Sequence, residues 1–336
     1  AAATAAADAA ALGEADSLMN QGKIEEAVIE YQALLKTNPK NDAAQTQLGI
    51  AYAMMSNTKE EGEKQLTSAT ETNPSNAKAW TFLGMVRYDL ARRQDATDYT
   101  AVEDALNKGI ELDPNNARAY GFQAQVYAAQ ARWDEALTAA NKAVDMAPDD
   151  VFTVSSLGYV YARRSEWDKA VPPYQKAVRL QPNWAWLQGL LAEGLQNTKN
   201  YTEALAVVEA SLKLGQGYEA RAYRRMGHIY WEKGDAAQAE AAFKKSLELD
   251  NTDAFAQWGL GGLWYEKGDY QNALSHLEAA ATLSPKSAGY QAWLGACYKA
   301  LNMYAEARGA LERALQLDPK REDAREQLDA LTAAGH

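Results

Sequence analysis

Residues 288–321 read AGYQAWLGACYKALNMYAEARGALERALQLDPKR. Leu294-Gly295 is followed three residues on by Tyr298, Ala307 is followed four residues on by Leu311, and Pro319 closes the run. A proline cannot continue a helix and commonly follows its end. Small residues let two backbones approach closely, and large ones fill the space beside the contact. The stretch predicts two short antiparallel helices and then a stop.

The same pattern recurs upstream. Pro39, Pro74, Pro114, Pro148 and Pro182 are spaced 35, 40, 34 and 34 residues apart, and Pro285 and Pro319 are 34 apart. The gap from Pro182 to Pro285 is 103, three such periods plus one, so seven of the nine prolines mark one recurring point. Leu48-Gly49, Leu83-Gly84, Leu157-Gly158, Leu191-Ala192, Met226-Gly227 and Leu260-Gly261 share the offset of Leu294-Gly295. Ala27, Ala136, Ala170, Ala204, Ala239 and Ala273 match Ala307, with Tyr31, Tyr174, Phe243 and Leu277 at the place of Leu311. Lys233-Gly234-Asp235 and Lys267-Gly268-Asp269 place a glycine to end one helix and an aspartate to cap the next. Asp235 with Gln238, and Asn200 with Glu203, have capping-box spacing. Asn115-Asn116 are placed to cap the helix after Pro114.

This pattern resembles the tetratricopeptide repeat family, whose signature is W-x2-L-G-x2-Y…A-x3-F…P at 34 residues. Trp80-Thr-Phe-Leu83-Gly84 fits its opening and the quoted stretch fits the rest. The resemblance implies an all-α fold. It is a right-handed superhelical solenoid of about nine helix-turn-helix repeats over residues 1–336, starting near 8, 42, 77, 117, 151, 185, 220, 254 and 288. A capping helix over 322–333 turns Leu328 and Leu331 inward and Asp323, Glu326 and Asp329 outward. Three features depart from the pattern. The third repeat is 40 residues long, with the extra residues within Leu90–Thr100, either a protruding contact or an extended junction between helices. Arg87 stands where an aromatic is expected, with Tyr88 next to it. Pro172-Pro173 fall inside a second helix and are expected to kink it or shift its start.

Composition excludes several functions. The net charge is −11, and residues 1–116 carry 10 Lys and Arg against 18 Asp and Glu, which disfavours nucleic acid. No apolar run approaches the roughly 18–20 residues that cross a membrane. One cysteine, Cys297, allows no internal disulfide and sits where a small residue packs between helices. His228, His276 and His336 are too scattered for a metal cluster or a relay. There is no GxxxxGK[ST] or HExxH. Gly259-Leu-Gly261-Gly262 lies mid-helix with no strand before it, so it is no dinucleotide loop. No cofactor and no catalytic residue is expected. Asn200-Tyr-Thr202 spells a glycosylation sequon and no more. The opening AAATAAADAAALG fits a processed end, which favours an exported, periplasmic or extracellular setting over a cytoplasmic one; a trimmed chain reads the same way.

In the family the first helix of each pair lines the concave groove. One stripe of that helix, at its second, fifth, ninth and twelfth positions, then faces a partner. Early repeats offer Ala9, Leu12, Asp16 and Met19, then Ala43, Thr46, Ile50 and Ala53. Later ones offer the candidate partner-binding residues Phe152, Tyr159, Trp186, Arg221, Arg224, His228, Trp231, Phe255, Trp258 and Tyr265, with Tyr88 as an earlier outlier. Aromatics bury roughly 150–250 Å² each and dominate interface energetics, although stacking between repeats also buries them. Trp133 and Trp167 recur at second-helix starts and read as packing. Arg221, Arg224 and His228 either receive an anion or pair locally with Glu193, Glu219 or Glu232. The Lys/Asn set with which some family members clamp a chaperone's acidic tail is missing at Leu12, Asp16, Thr46 and Ile50. The asparagine ladder of others is missing along Gln47, Phe82, Phe122, Ser156, Leu190 and Arg225. The expected function is a non-enzymatic scaffold that binds an extended peptide or helix of a protein partner. Glycan binding and self-association into a larger assembly are the alternatives.

Overall fold

A computed structural model describes residues 2–55, 57–94 and 97–335. The described residues form helices and turns, with no strand among them. Contacts divide the chain into two compact units, the first ending at Ala177 and the second starting at Val178. The first holds α1 (Ala2–Asn20), α2 (Ile24–Thr37), α3 (Asp42–Met54), α4 (Lys59–Thr72), α5 (Ala77–Arg93), α6 (Thr100–Leu112), α7 (Ala117–Ala129), α8 (Trp133–Met146) and α9 (Val151–Arg163). Helix α10 (Trp167–Leu180) contains the division. The second unit continues with α11 (Ala185–Asn197), α12 (Tyr201–Leu214), α13 (Glu219–Glu232), α14 (Ala236–Leu249), α15 (Ala254–Glu266), α16 (Tyr270–Leu283), α17 (Ala288–Ala300), α18 (Tyr304–Leu317) and α19 (Glu322–Ala333). First helices start within a residue of the expected repeat starts, except that α1 begins six residues early.

Polar side chains cap most first helices and some second helices. Asn41, Asn76, Asn116, Asp150, Asp253 and Ser287 each accept an N–H of the first turn of the helix that follows. Asp235 accepts from the Gln238 N–H, as its spacing predicts. Asn200 does not cap α12: its amide turns back to donate to Thr198 Oγ1 at 3.4 Å, so the spacing with Glu203 makes no capping box. The six extra residues of the third repeat extend α5 to 17 residues, against 13 in α3, and lengthen the junction before α6. Asp95 and Ala96 of that junction, and His336, lie outside the described residues. Pro172 and Pro173 do not shift the start of α10, which opens at Trp167 and runs through both.

Within a pair, glycine meets a large side chain. A Cβ on Gly84 would lie 2.6 Å from Leu106, one on Gly158 2.6 Å from Tyr174, one on Gly261 2.7 Å from Leu277 and one on Gly295 2.7 Å from Leu311. The alanines four residues before the large partners, Ala27, Ala170, Ala239, Ala273 and Ala307, are fully buried. Gly259, Gly261 and Gly262 are such packing glycines of α15. Cys297 is also core: its thiol donates to the Tyr270 carbonyl at 3.2 Å, and burial pushes its pKa up to about 11.

In each unit every first helix touches the next first helix as well as its pair partner. Second helices have no such contact with one another among the described residues. The first helices therefore form the closer-packed row, the inner side of each stack. At the end of the second unit α19 buries Ala324 and Leu331, half-buries Leu328, and leaves Asp323, Glu326 and Asp329 exposed. No described helix is long and apolar enough to cross a membrane.

Candidate functional site

The inner row of the second unit brings most of the predicted stripe together. Helices α13, α15 and α17 carry His228, Trp231, Phe255, Trp258, Tyr265, Tyr290 and Trp293 in one continuous ring network. Phe255 and Trp258 lie 4.9 Å apart between centroids, Trp231 and Trp258 5.0 Å, and Tyr265 and Trp293 5.7 Å. Trp258 also reaches Tyr290 at 6.2 Å and Trp293 at 6.0 Å. All seven side chains are half-buried. Glycine sets the depth of one of them: a Cβ on Gly262 would lie 2.3 Å from the Trp231 ring, so the six-membered edge of the indole packs against bare backbone. Its N–H donates to Glu266 at 2.8 Å.

Tyr290 and Trp293 had no place in the predicted stripe. They occupy the third and sixth positions of α17, one place off the second and fifth positions that carry Phe255 and Trp258 in α15. A search for aromatics one step to either side would have found them.

Two clefts open on this face. The first, about 620 Å³, is lined by Arg221, Arg224, Arg225, His228, Phe255 and Tyr290 with Glu193, Asp250 and Asp253. The second, about 570 Å³, lies among Tyr265, Trp293, Ala292, Ala296 and Ala300, with Asp323 and Gln327 of α19. Trp258 touches the aromatic lining of both.

The cations of the first cleft are partly paired. Arg225 donates to Glu193 at 2.9 Å and to Gln196 Oε1 at 3.3 Å. Arg224 approaches Asp253 at 3.4 Å and stands 5.6 Å over the Phe255 ring. Asp253 is buried; it caps α15 and accepts from Ser246 at 3.0 Å. With its oxygen turned to Arg225, the Gln196 amide gives its nitrogen to His228 Nδ1 at 2.7 Å. The imidazole proton then sits on Nε2, 3.6 Å from Glu232. Burial holds the His228 pKa below its ordinary value, so the ring is neutral at pH 7. Of the local pairings expected for Arg221, Arg224 and His228, that of His228 with Glu232 forms, while Glu193 pairs with Arg225 instead. Arg221 takes part in neither.

The remaining predicted residues lie elsewhere. Trp186 is 42% exposed at the start of α11, beside the equally exposed Trp184. In the first unit Phe152 is half-buried against Phe122 at 4.3 Å, and Tyr159 is half-buried against the α7–α8 core. Tyr88 is not on the surface. It is 2% exposed among Val102, Leu106 and Val126, with its hydroxyl donating to the Gln125 carbonyl at 3.2 Å. The reason is its neighbour: Arg87 turns out to Glu63 at 2.9 Å, and Tyr88 fills the core.

Family models described as tetratricopeptide repeats match residues 15–56, 92–151, 184–252, 224–288 and 264–334. A co-chaperone of the heat-shock protein cognate, sgt12 of Aspergillus fumigatus, is 29% identical over 102 residues. That match covers 30% of this chain and 28% of the relative, so the chain spans just over a quarter of it. Among solved structures, the human IFIT1 dimer with m7Gppp-AAAA has a TM-score of 0.63 at 17% identity, over 90% of this chain and 80% of that one. The APC/C hetero-tetramer Cut9-Hcn1 has a TM-score of 0.60 at 17% identity, over 96% and 69%. A tetratricopeptide repeat protein of Parabacteroides merdae has a TM-score of 0.59 at 18% identity, over 75% and 98%. At these identities the structures share the fold with this chain.

Proposed function

We propose a role that starts from one fact, that the chain belongs to the tetratricopeptide repeat family: it is a non-enzymatic scaffold that holds an extended peptide or helix of a partner protein on the inner face of its second unit. The observation that carries this is the half-buried ring network of α13, α15 and α17 between two open clefts. Each ring keeps apolar surface that a partner can cover, at about 25 cal/mol per Å². Each is also fixed by its neighbours, so docking orders few side chains and loses little entropy. Pre-formed, clustered aromatics are the usual anchors of interfaces. The co-chaperone relative supports a protein partner.

The test is tryptophan fluorescence of the full chain titrated with peptide pools and, separately, with oligosaccharides. Peptides are expected to shift the emission. Trp258→Leu is expected to weaken that response at least about tenfold, the loss of one interface anchor, with unchanged helical circular dichroism. A response to oligosaccharides and none to peptides would replace this reading with glycan binding. Light scattering that rises with concentration in the absence of any ligand would favour self-assembly.

A further inference from the structure

Helix α11 begins on a tryptophan where the first helices before it begin on a cap. Asn41, Asn76, Asn116 and Asp150 each cap through the side chain; the same place before α11 holds Trp184, which makes no such bond. The joint between α12 and α13 supplies what is missing. Gln216 accepts the Ala185 N–H at 3.1 Å and donates to the Asn183 carbonyl at 2.7 Å. It does so from a left-handed backbone, with φ 66° between Gly215 at 70° and Gly217 at 68°. A residue with a side chain keeps that conformation only where its surroundings hold it. The cap is thus borrowed from the next joint, and the cap position goes to an indole that is 42% exposed. Trp186 has the same exposure, with its ring centroid 6.1 Å away and its plane 31° from that of Trp184. The other seven tryptophans are half-buried. A local rule broken and compensated in this way marks a residue that serves something besides the fold.

We infer that Trp184 and Trp186 form a second binding site, separate from the groove, for an uncharged chain of sugar rings. The pair offers about 100 Å² per ring, 42% of the roughly 250 Å² of an indole side chain. Each side of a stable protein complex covers roughly 800 Å², so a globular partner or a second copy of the chain needs far more than this shelf, while a ligand two rings long does not. Residues 180–192 and 214–218, which carry the shelf and its support, contain no Asp, Glu, Lys or Arg, so nothing in them offsets the cost of desolvating a charged ligand. Neither indole N–H bonds to a described residue, and neither do the exposed side-chain amides of Gln181 and Asn183. An amide both donates and accepts, as a sugar hydroxyl does. A proline-rich segment brings carbonyls but few N–H groups and leaves the amide oxygens unmatched. The negative faces of the indoles suit the C–H face of a pyranose ring.

The experiment is calorimetry on the full chain with neutral oligomers of glucose, mannose, galactose and N-acetylglucosamine from one ring to six, oligogalacturonates of the same lengths, and a decaproline peptide. At least one neutral series is expected to bind, gaining about tenfold or more from one ring to two as the second indole is covered. Raised salt should leave that affinity unchanged. Trp184→Ala and Trp186→Ala should each remove the gain without changing helical circular dichroism, and Trp184→Tyr, which keeps a ring, should retain most of it. Trp258→Leu, in the groove, should leave sugar binding as it is. Sugar binding lost in Trp258→Leu and kept in Trp184→Ala would move the sugar to the groove and overturn the shelf. Tighter binding of the galacturonates would overturn the uncharged ligand, and decaproline binding that depends on Trp184, with no sugar bound, would replace sugar by a proline-rich segment. No binding by any of these probes would sink the site and leave the peptide groove to its own test.

Discussion

Phe243 packs between two glycines. A Cβ on Gly227 would lie 2.6 Å from its ring and one on Gly259 2.4 Å, and the phenyl group is fully buried. Alanine favours a helix over glycine by about 1 kcal/mol, but forcing a methyl into a fixed ring costs about 1–3 kcal/mol. Gly259→Ala is therefore expected to destabilise the chain. Gly309→Ala, whose Cβ would meet nothing within 4 Å, is expected to stabilise it by about 0.5–1 kcal/mol. Urea midpoints of the two variants moving in the same direction would refute this. The glycine–large-residue rule was legible because it needs only spacing. The placement of Tyr88 was not: whether Tyr88 or Arg87 enters the core depends on Glu63 reaching Arg87 from α4, a contact 24 residues away in sequence. His228 gives a pH prediction. Burial lowers its folded pKa below the ordinary 6.5, with Glu232 and Glu193 opposing and Arg225 assisting; His276 is lowered likewise, by burial and then by Lys244. Above pH 6.5 both states are neutral and stability is unaffected. As pH falls through 6.5 the unfolded chain takes up protons that the native chain refuses, so stability falls. The double variant His228→Gln/His276→Gln should flatten the urea midpoint between about pH 7.5 and 5.5 relative to the parent chain.

At the scale of the helix, caps separate spelling from bonding. Asn116 accepts the Ala119 N–H at 3.2 Å and also reaches Thr81 of the preceding repeat. Asn116→Ala is expected to cost about 1 kcal/mol. Asn200 holds the same formal position before α12 but makes no cap, so Asn200→Ala should cost a few tenths at most, as for an ordinary surface substitution. Equal losses in thermal denaturation would contradict the assignment. First-helix starts other than that of α1 were readable to within a residue because prolines, capping residues and glycines recur at the joints between helices. The candidate site was readable only in part. Phe255 and Trp258 follow a fixed helical stripe, but Tyr290 and Trp293 reach the same network from one position further along α17, and a stripe drawn by counting cannot register that step of about 100° around the helix. Arg225 and Asp253 were missed because pairing between repeats joins residues about 30 apart.

Over the molecule as a whole, the contact pattern governs how damage spreads. Each helix of the second unit touches its sequence neighbours and, on the inner row, the next first helix. Stability in such a stack is close to a sum of repeat and nearest-neighbour contributions. Leu331 of α19 is 2% exposed against the last pair, in a cluster with Ala292, Leu311 and Ala314. Leu331→Ala removes a buried isobutyl group and is expected to cost about 2–5 kcal/mol. The loss should stay local, because α19 packs on α17 and α18 and not on α13 or α15. Amide exchange should accelerate in α17, α18 and α19 while the amides of α13 and α15 keep their protection. Uniform acceleration of exchange across the second unit would mean that it unfolds as one cooperative block, and the nearest-neighbour account of this stack would have to be abandoned.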